Sequence, residues 1–239
     1  MIARRFLMLY FLATPVALAN PLMLEMDQAR PDAGELQRAK EQLEQPPVRA
    51  IVTPLFVPPF HKRENAPALP ASFCRGCHQQ NPHRSNVRKR AFLNMHSRYI
   101  ACETCHWRPE GKQLEYAWTK VPGSSRAEGI ITPSLKGEPV MIMENTPWAR
   151  TLKRQWEEAD DAGKVEIKAK LHQPLKEKGP GCGACHGNEE TLLDYEVLGY
   201  KPQQARKLER NPTARFIERT EPQSADEPIR RIHIRDLLE

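Results

Sequence analysis

The sequence predicts a mainly α-helical fold with much irregular chain and little sheet, arranged around bound groups and not around a large side-chain core. Two observations support this prediction. Apolar residues make up 39% of the 239 residues, below the share that is usual in globular domains, and 22 residues are prolines. In addition, all six cysteines fall into three copies of one short motif, which could attach groups that replace the missing core.

The chain opens with the features of an export signal. Arg4 and Arg5 form a basic start, Phe6–Leu12 is an apolar run, and Ala17–Ala19 fits the small-residue rule for signal cleavage. The apolar run is too short to span a bilayer comfortably, so a retained membrane anchor is the weaker alternative. We expect residues 1–19 to be removed as a signal peptide and the remaining protein to be periplasmic or otherwise exported, with no membrane span.

Residues 20–70 are expected to form an N-terminal helix and a proline-rich strap. The stretch Ala33–Leu43, rich in Glu, Gln and Lys, predicts the helix. Seven prolines follow between Pro46 and Pro70, and because proline lacks a backbone N–H this stretch should be extended. Apolar residues such as Phe56 lie among these prolines, which favours a strap laid over the next domain instead of a disordered linker.

Residues 71–239 are expected to form one domain that carries the three motifs. Each motif has the pattern C-x-x-C-H, which is the signature of covalent haem attachment. Its two thiols reach the two vinyl groups of one porphyrin, and the adjacent histidine binds the iron from the proximal side. The motif residues are Cys74, Cys77 and His78, then Cys102, Cys105 and His106, and finally Cys182, Cys185 and His186.

Other uses of paired cysteines explain this pattern less well. Six cysteines in an exported protein could form three disulfides, and C-x-x-C also occurs in zinc sites and thioredoxin-like redox pairs. None of these requires a histidine directly after the second cysteine in every copy. On its 15 motif residues the chain resembles the multihaem cytochromes c. The resemblance implies three covalently bound haem c groups, assembly outside the cytoplasm and electron transfer.

Each haem iron has a sixth position, and five further histidines could fill these positions. His96 and His172 stand six and ten residues upstream of the second and third motifs, a placement that resembles the distal ligands of multihaem cytochromes, which often serve a neighbouring haem and not the motif that follows. His83 follows the first motif closely and could reach across to the second haem. We expect these three histidines to be iron ligands. The weaker candidates are His61, in the proline-rich stretch, and His233, near the C-terminus.

Methionine is the other plausible sixth ligand, and it would raise the reduction potential of the haem. Met95 is next to His96, so both are not expected to bind the same iron. Met141 and Met143 alternate in Val140–Met143, which has the pattern of a short strand. We expect these two methionines to pack against apolar surface instead of binding iron.

The segments between the motifs contain two predicted helices. Val87–Ser97 could form a helix that ends near His96. A second helix is predicted to begin with Thr146 as the N-cap and Pro147 as its first residue, to be interrupted near Gly163, and to carry His172 toward the third haem. The basic residues around the first of these helices could meet haem propionates: Arg84, Arg88, Lys89 and Arg90.

The remaining segments are predicted as follows. Gly129–Thr132 should lie in short strands or extended chain. A helix is expected over Glu189–Leu198, and another from Pro202 through Ile217 with a break at Pro212. The alternation of arginine and isoleucine in Arg230–Leu238 predicts a strand or a tail that docks on a partner.

The net charge of +6 is no sign of nucleic-acid binding, because haem propionates would offset it and no basic and aromatic pattern of a nucleic-acid module is present. The predicted function is that of an electron carrier or relay between redox partner proteins of the respiratory chain or periplasm, not of an enzyme. Two alternatives stay open. One is a haem enzyme with an open iron site that acts on a small nitrogen or sulfur compound. The other is a haem subunit of a larger assembly or oligomer, in which His61 or His233 could ligate a haem of a neighbouring chain.

Overall fold

The computed structural model describes residues 20–45, 71–78, 82–83, 89–121, 129–187 and 191–220. Within these ranges the fold is mainly α-helical with one small sheet, which confirms the coarse fold class. The helices are α1 (Pro21–Gln28), α2 (Ala33–Glu44), α3 (Cys74–Cys77), α4 (Arg90–His96), α5 (Cys102–His106), α6 (Pro147–Glu158), α7 (Asp161–His172), α8 (Gly183–His186), α9 (Pro202–Glu209) and α10 (Pro212–Arg219). The strands are β1 (Glu115–Thr119), β2 (Ile130–Leu135) and β3 (Glu138–Pro139).

Both N-terminal helices begin at side-chain caps. The Asn20 side chain accepts hydrogen bonds from the N–H groups at the start of α1, a helix that the sequence prediction missed. The Asp32 side chain accepts from the Glu35 N–H, and the Glu35 carboxylate accepts in turn from the Asp32 N–H, which makes a capping box for α2. The predicted helix over Ala33–Leu43 is therefore confirmed.

The sheet is an antiparallel meander in which β2 is the central strand. The chain enters β2 at Gly129, whose φ of +108° lies in the region that favours glycine. A Cβ atom at this position would lie 2.0 Å from the Thr119 carbonyl oxygen, so only glycine fits there. The prediction of short strands around Gly129–Thr132 is confirmed, and β2 is buried along most of its length.

The predicted helix after Thr146 is two helices. The Thr146 hydroxyl accepts from the Ala149 N–H and Pro147 opens α6, as expected. The break comes at Ala159, and the Asp160 carboxylate caps α7 by accepting from the Gly163 N–H at 2.8 Å. The helix is interrupted as predicted, but at Ala159 and not at Gly163, because the Asp160 cap starts a new helix that includes this glycine.

Two other element predictions are wrong. Val140–Met143 is not a strand, although Ser72 makes an isolated antiparallel bridge to Met143. Residues 191–200 form turns where a helix over Glu189–Leu198 was predicted. The Asp194 carboxylate accepts from the N–H groups of Glu196 and Val197, an arrangement that competes with helix formation. In contrast, α9 and α10 confirm the predicted helices on either side of Pro212.

The apolar interior consists of small clusters, and the largest joins the N-terminus to the rest of the chain. Leu22 and Met26 of α1 pack in one buried cluster with Trp107, Val140 and Ile142. The completely buried Trp107 indole also donates to the Glu25 carboxylate at 2.8 Å. Residues 20–45 are therefore packed against the part of the chain that carries the motifs.

Several predictions concern residues outside the described ranges. These are the signal peptide at residues 1–19, the strap between Pro46 and Pro70, the basic residues Arg84 and Arg88, and the tail Arg230–Leu238. His61 and His233 also lie outside the described residues. Every helix in the described ranges is too short or too polar to cross a bilayer.

Substitution of Leu22 by alanine should show that α1 is part of the folded core. Leu22 is 0% exposed, so Leu22→Ala should lower the free energy of unfolding by about 2–5 kcal/mol, measured by denaturant titration. The control Leu24→Ala removes a side chain of the same helix that is 44% exposed, and it should change stability by less than about 0.5 kcal/mol. Equal effects of the two substitutions would contradict the packing described for α1.

Candidate metal centres

Each C-x-x-C-H motif forms a single helical turn. The turns are α3, α5 and α8, and the two cysteines of each motif stand three residues apart. Side chains at this spacing share one face of a helical turn. All six cysteines are free thiols. In every motif a pair of thiols and the following imidazole are therefore available to bind another group.

The first two motifs are anchored by backbone hydrogen bonds to buried chain. The Phe73 N–H, directly before the first motif, donates to the Ile142 carbonyl at 2.9 Å. The Ala101 N–H, directly before the second motif, donates to the Ile131 carbonyl of β2 at 2.9 Å. The Thr104 hydroxyl donates to the same carbonyl at 3.1 Å. The central strand and the segment that follows β3 thus fix the positions of these motifs.

The third motif is held by the C-terminal helices and by the turns that precede them. The Glu218 carboxylate of α10 accepts from the Gly183 N–H at 3.0 Å. A Cβ atom at Gly183 would lie 2.7 Å from this carboxylate, so a larger residue would displace Glu218. The Tyr195 hydroxyl donates to the Cys185 carbonyl at 2.8 Å.

Each motif histidine faces one other histidine. The ring centres of His78 and His172 are 5.9 Å apart, those of His83 and His106 are 6.3 Å apart, and those of His96 and His186 are 6.0 Å apart. The planes of the rings meet at 69°, 13° and 59° in the three pairs. All three histidines predicted as distal ligands are therefore placed opposite a motif histidine.

The separation within each pair is compatible with a shared metal ion. Metal–imidazole bonds are about 2 Å long, so two rings bound to opposite sides of one ion have their centres about 6 Å apart. Among the described residues, no group of three or more His, Cys, Asp or Glu side chains converges as a metal site. Two opposed imidazoles suit an ion whose other ligands come with a cofactor, as the four nitrogens of a porphyrin do.

Hydrogen bonds orient five of the six rings through the same atom. Nδ1 of His106 lies 2.8 Å from the Lys176 carbonyl, and Nδ1 of His186 lies 2.7 Å from the Leu208 carbonyl. A carbonyl oxygen can only accept, so Nδ1 carries the proton and Nε2 keeps the lone pair that a metal needs. The other three rings make the same kind of bond: Nδ1 of His96 to Phe92, of His172 to Lys168, and of His83 to Asn94.

The protein favours the neutral form of several of these rings. Desolvation lowers the pKa of His78 to about 4, with a further contribution from the neighbouring His172, although His78 as a whole residue is exposed. Desolvation also lowers the pKa values of His83, His96 and His172. Only neutral imidazole binds a metal ion, so these environments favour the form of the rings that a metal would need.

The assignment of the pairs differs in part from the sequence prediction. His83 lies opposite His106 of the second motif, as the prediction that it reaches across had suggested. His172 was expected to approach the third motif, but it faces His78 of the first motif, so this expectation is wrong. It is wrong because the turn after α7 leads Lys176 back to His106, which places the end of α7 beside the first two motifs.

The methionines have other surroundings. Met141 is buried in an apolar cluster with Ala101, Val121 and Ile130, and Met143 packs against that cluster. Apolar packing of these two methionines is therefore confirmed. Met95 is 46% exposed.

The first and second motifs meet at their first cysteines. A side-chain hydrogen bond between Cys74 and Cys102 raises the pKa of Cys74 and lowers that of Cys102. The attachment points of two neighbouring groups are thus in contact.

Glu103, inside the second motif, is the buried residue at this contact, and sequence reasoning missed it. Its side chain is 1% exposed, and Oε1 accepts from the Ile142 N–H at 3.3 Å and from the Cys74 thiol at 3.6 Å. Oε2 has no hydrogen-bond partner among the described residues. Burial is the main cause that raises the pKa of this carboxyl. A glutamate between the cysteines of such a motif gives no signal of its burial in the sequence.

Comparisons of the chain with protein-family models, with curated proteins and with solved structures found no match.

The buried carboxyl of Glu103 should make the stability of the protein depend on pH. Because its folded-state pKa is raised, its stabilising contribution is complete below the unfolded value near 4.5 and is lost as the pH rises through the folded value. Thermal unfolding from pH 4 to pH 8 should therefore show the wild type losing about 1–3 kcal/mol relative to Glu103→Gln.

Glu110→Gln is the control, since the Glu110 side chain is 94% exposed and makes only a surface ion pair with Lys176 at 3.6 Å. Its stability should differ from that of the wild type by less than about 1 kcal/mol over the same pH range. Parallel pH profiles for Glu103→Gln and the wild type would show that the Glu103 carboxyl is not held in the folded protein as described.

Proposed function

We propose that this protein is an exported triheme c-type cytochrome that carries or relays electrons between redox partner proteins. The observation that carries the proposal is the placement of the three C-x-x-C-H histidines, each opposite one further imidazole with ring centres 5.9–6.3 Å apart. Motifs that did not bind haem would have no need for a second histidine beside each motif histidine.

Under this proposal, each motif would bind one haem. The cysteine pairs would form the thioether links and the motif histidines would bind the proximal side of the iron. On the distal side, His172 would serve the first motif, His83 the second and His96 the third. Haem c, when bound, supplies an iron that gains and loses one electron reversibly.

Filled axial positions favour electron transfer over catalysis. A haem enzyme needs one iron with an open or weakly filled position where a substrate binds. In this chain an imidazole stands opposite each motif histidine, and backbone carbonyls or Asn94 orient most of these rings. With haem bound at each motif, these paired imidazoles would occupy the positions at which water or a small ligand would otherwise bind the iron. This arrangement supports a carrier and disfavours the alternative of an enzyme.

Close attachment points favour a relay within the molecule. The Cys74 and Cys102 side chains are in contact, so haems bound to the first two motifs would lie side by side. The second pair is also linked to the third, because Asn94 of α4 binds His83 and the same helix ends at His96. Electrons could therefore enter at one haem and leave at another. The export signal supports partners in the periplasm or in a respiratory chain outside the cytoplasm.

The spin states of the ferric protein test the proposal directly. Mass spectrometry of the purified protein should show three added haems. Low-temperature EPR and visible spectra should show three low-spin haems that do not bind carbon monoxide, cyanide or nitrite. A high-spin haem that binds an added ligand readily in the wild type would favour the enzyme alternative instead.

Single substitutions should then assign the distal ligands. His172→Ala, His83→Ala and His96→Ala should each open one iron, so that each variant binds one equivalent of carbon monoxide after reduction. His61→Ala and His233→Ala are the controls, because every motif histidine already has another partner, and both should keep three low-spin haems. Loss of a low-spin haem in a control, with none lost in the three main variants, would contradict the assignment.

A further inference from the structure

His83 lies outside any helix or strand, yet its backbone and ring are both held by one side chain. The Asn94 amide oxygen accepts from the His83 N–H at 3.0 Å and lies 3.2 Å from the ring Nδ1. The Asn94 amide nitrogen donates to the His83 carbonyl at 3.0 Å. Asn94 therefore binds three atoms of the same residue from a helix that follows it in the chain.

These contacts fix both the orientation of the amide and the tautomer of the ring. A backbone N–H can only donate, so the amide atom facing it must be the oxygen. That oxygen can only accept, so Nδ1 of His83 must carry the proton. The lone pair is then on Nε2 of His83, the ring nitrogen that stays available to a metal between this ring and His106.

Asn94 provides the acceptor for the His83 ring, whereas the other two histidines opposite the motifs find theirs in their own helices. His96 and His172 end α4 and α7, and Nδ1 of each bonds to a carbonyl of its own helix, four residues earlier. His83 has no helix of its own to supply such an acceptor. Asparagine meets the need because its amide can accept from the ring and the backbone N–H while it donates to the backbone carbonyl.

We propose that Asn94 is the positioning residue that holds His83 as the distal ligand opposite His106. Through Asn94 and His96, the short helix α4 then controls the distal side of both the second and the third motif. This inference rests on the proposed function, since it requires a haem at each motif.

Two substitutions at Asn94 test the inference. Asn94→Leu keeps the size of the side chain but removes all three hydrogen bonds, so one low-spin haem should be lost and one equivalent of carbon monoxide should bind. Asn94→Asp keeps an acceptor for the ring and the backbone N–H. Its charge strengthens the donation of the imidazole to iron, so all haems should stay low-spin while one midpoint potential falls.

Combined variants identify the haem that is affected. Asn94→Leu together with His83→Ala should open one iron, as His83→Ala does alone, whereas Asn94→Leu together with His96→Ala should open two. Met95→Leu is the control, because Met95 adjoins Asn94 in α4 and is 46% exposed. This variant should keep three low-spin haems with unchanged potentials.

The outcomes separate this inference from the function on which it rests. Three low-spin haems with wild-type potentials in both Asn94 variants would overturn the role of Asn94. If Asn94→Leu does not fold, Asn94→Asp decides, and an unchanged set of potentials would overturn it. A wild-type protein without three low-spin haems would overturn the proposed function itself, whatever the Asn94 variants show.

Discussion

Six imidazole rings stand opposite each other in three pairs, and the arrangement of the chain depends on this pairing. His78 meets a ring from the end of α7, His106 meets a ring from just after the first motif, and His186 meets a ring from α4. Neither His96 nor His172 faces the motif that directly follows it in the chain. The pairs therefore interlock the segments of the chain, and a metal ion held in each pair would link distant residues as a structural metal does.

The segments around the motifs orient these rings and anchor the motif backbone through hydrogen bonds. The histidine rings of the second and third motifs bond to the carbonyls of Lys176 and Leu208, which belong to segments well beyond each motif. The C-terminal helices add a second anchor, because Glu218 holds the backbone of the third motif. Desolvation lowers the pKa values of His96 and His172, whose Nδ1 atoms bond to carbonyls of their own helices, so the fold that orients these two rings also favours their neutral form.

The apolar interior is divided into small clusters, as the low apolar content of the chain implies. Trp107 follows the second motif directly and is covered by Leu22 and Met26 of α1. In the same cluster, the Ile142 N–H donates to the Glu103 carboxylate. The Ile142 carbonyl accepts from the Phe73 N–H, directly before the first motif. The clusters thus stabilise the backbone beside the motifs. Under the proposed function, the haems would provide the remaining apolar contacts between segments.

The sequence alone determined the motifs, the candidate distal histidines and most of the helices. The spacing of cysteine and histidine identifies the motifs, and capping residues such as Asp32 and Thr146 favour the starts of helices. Both features depend on residues that are close together in the chain. Only the tertiary structure decided which histidine faces which motif, that Glu103 is buried, and that Asn94 holds His83. These depend on turns and backbone hydrogen bonds that bring distant segments together, as when Lys176 reaches His106, and no local pattern in the sequence records such contacts.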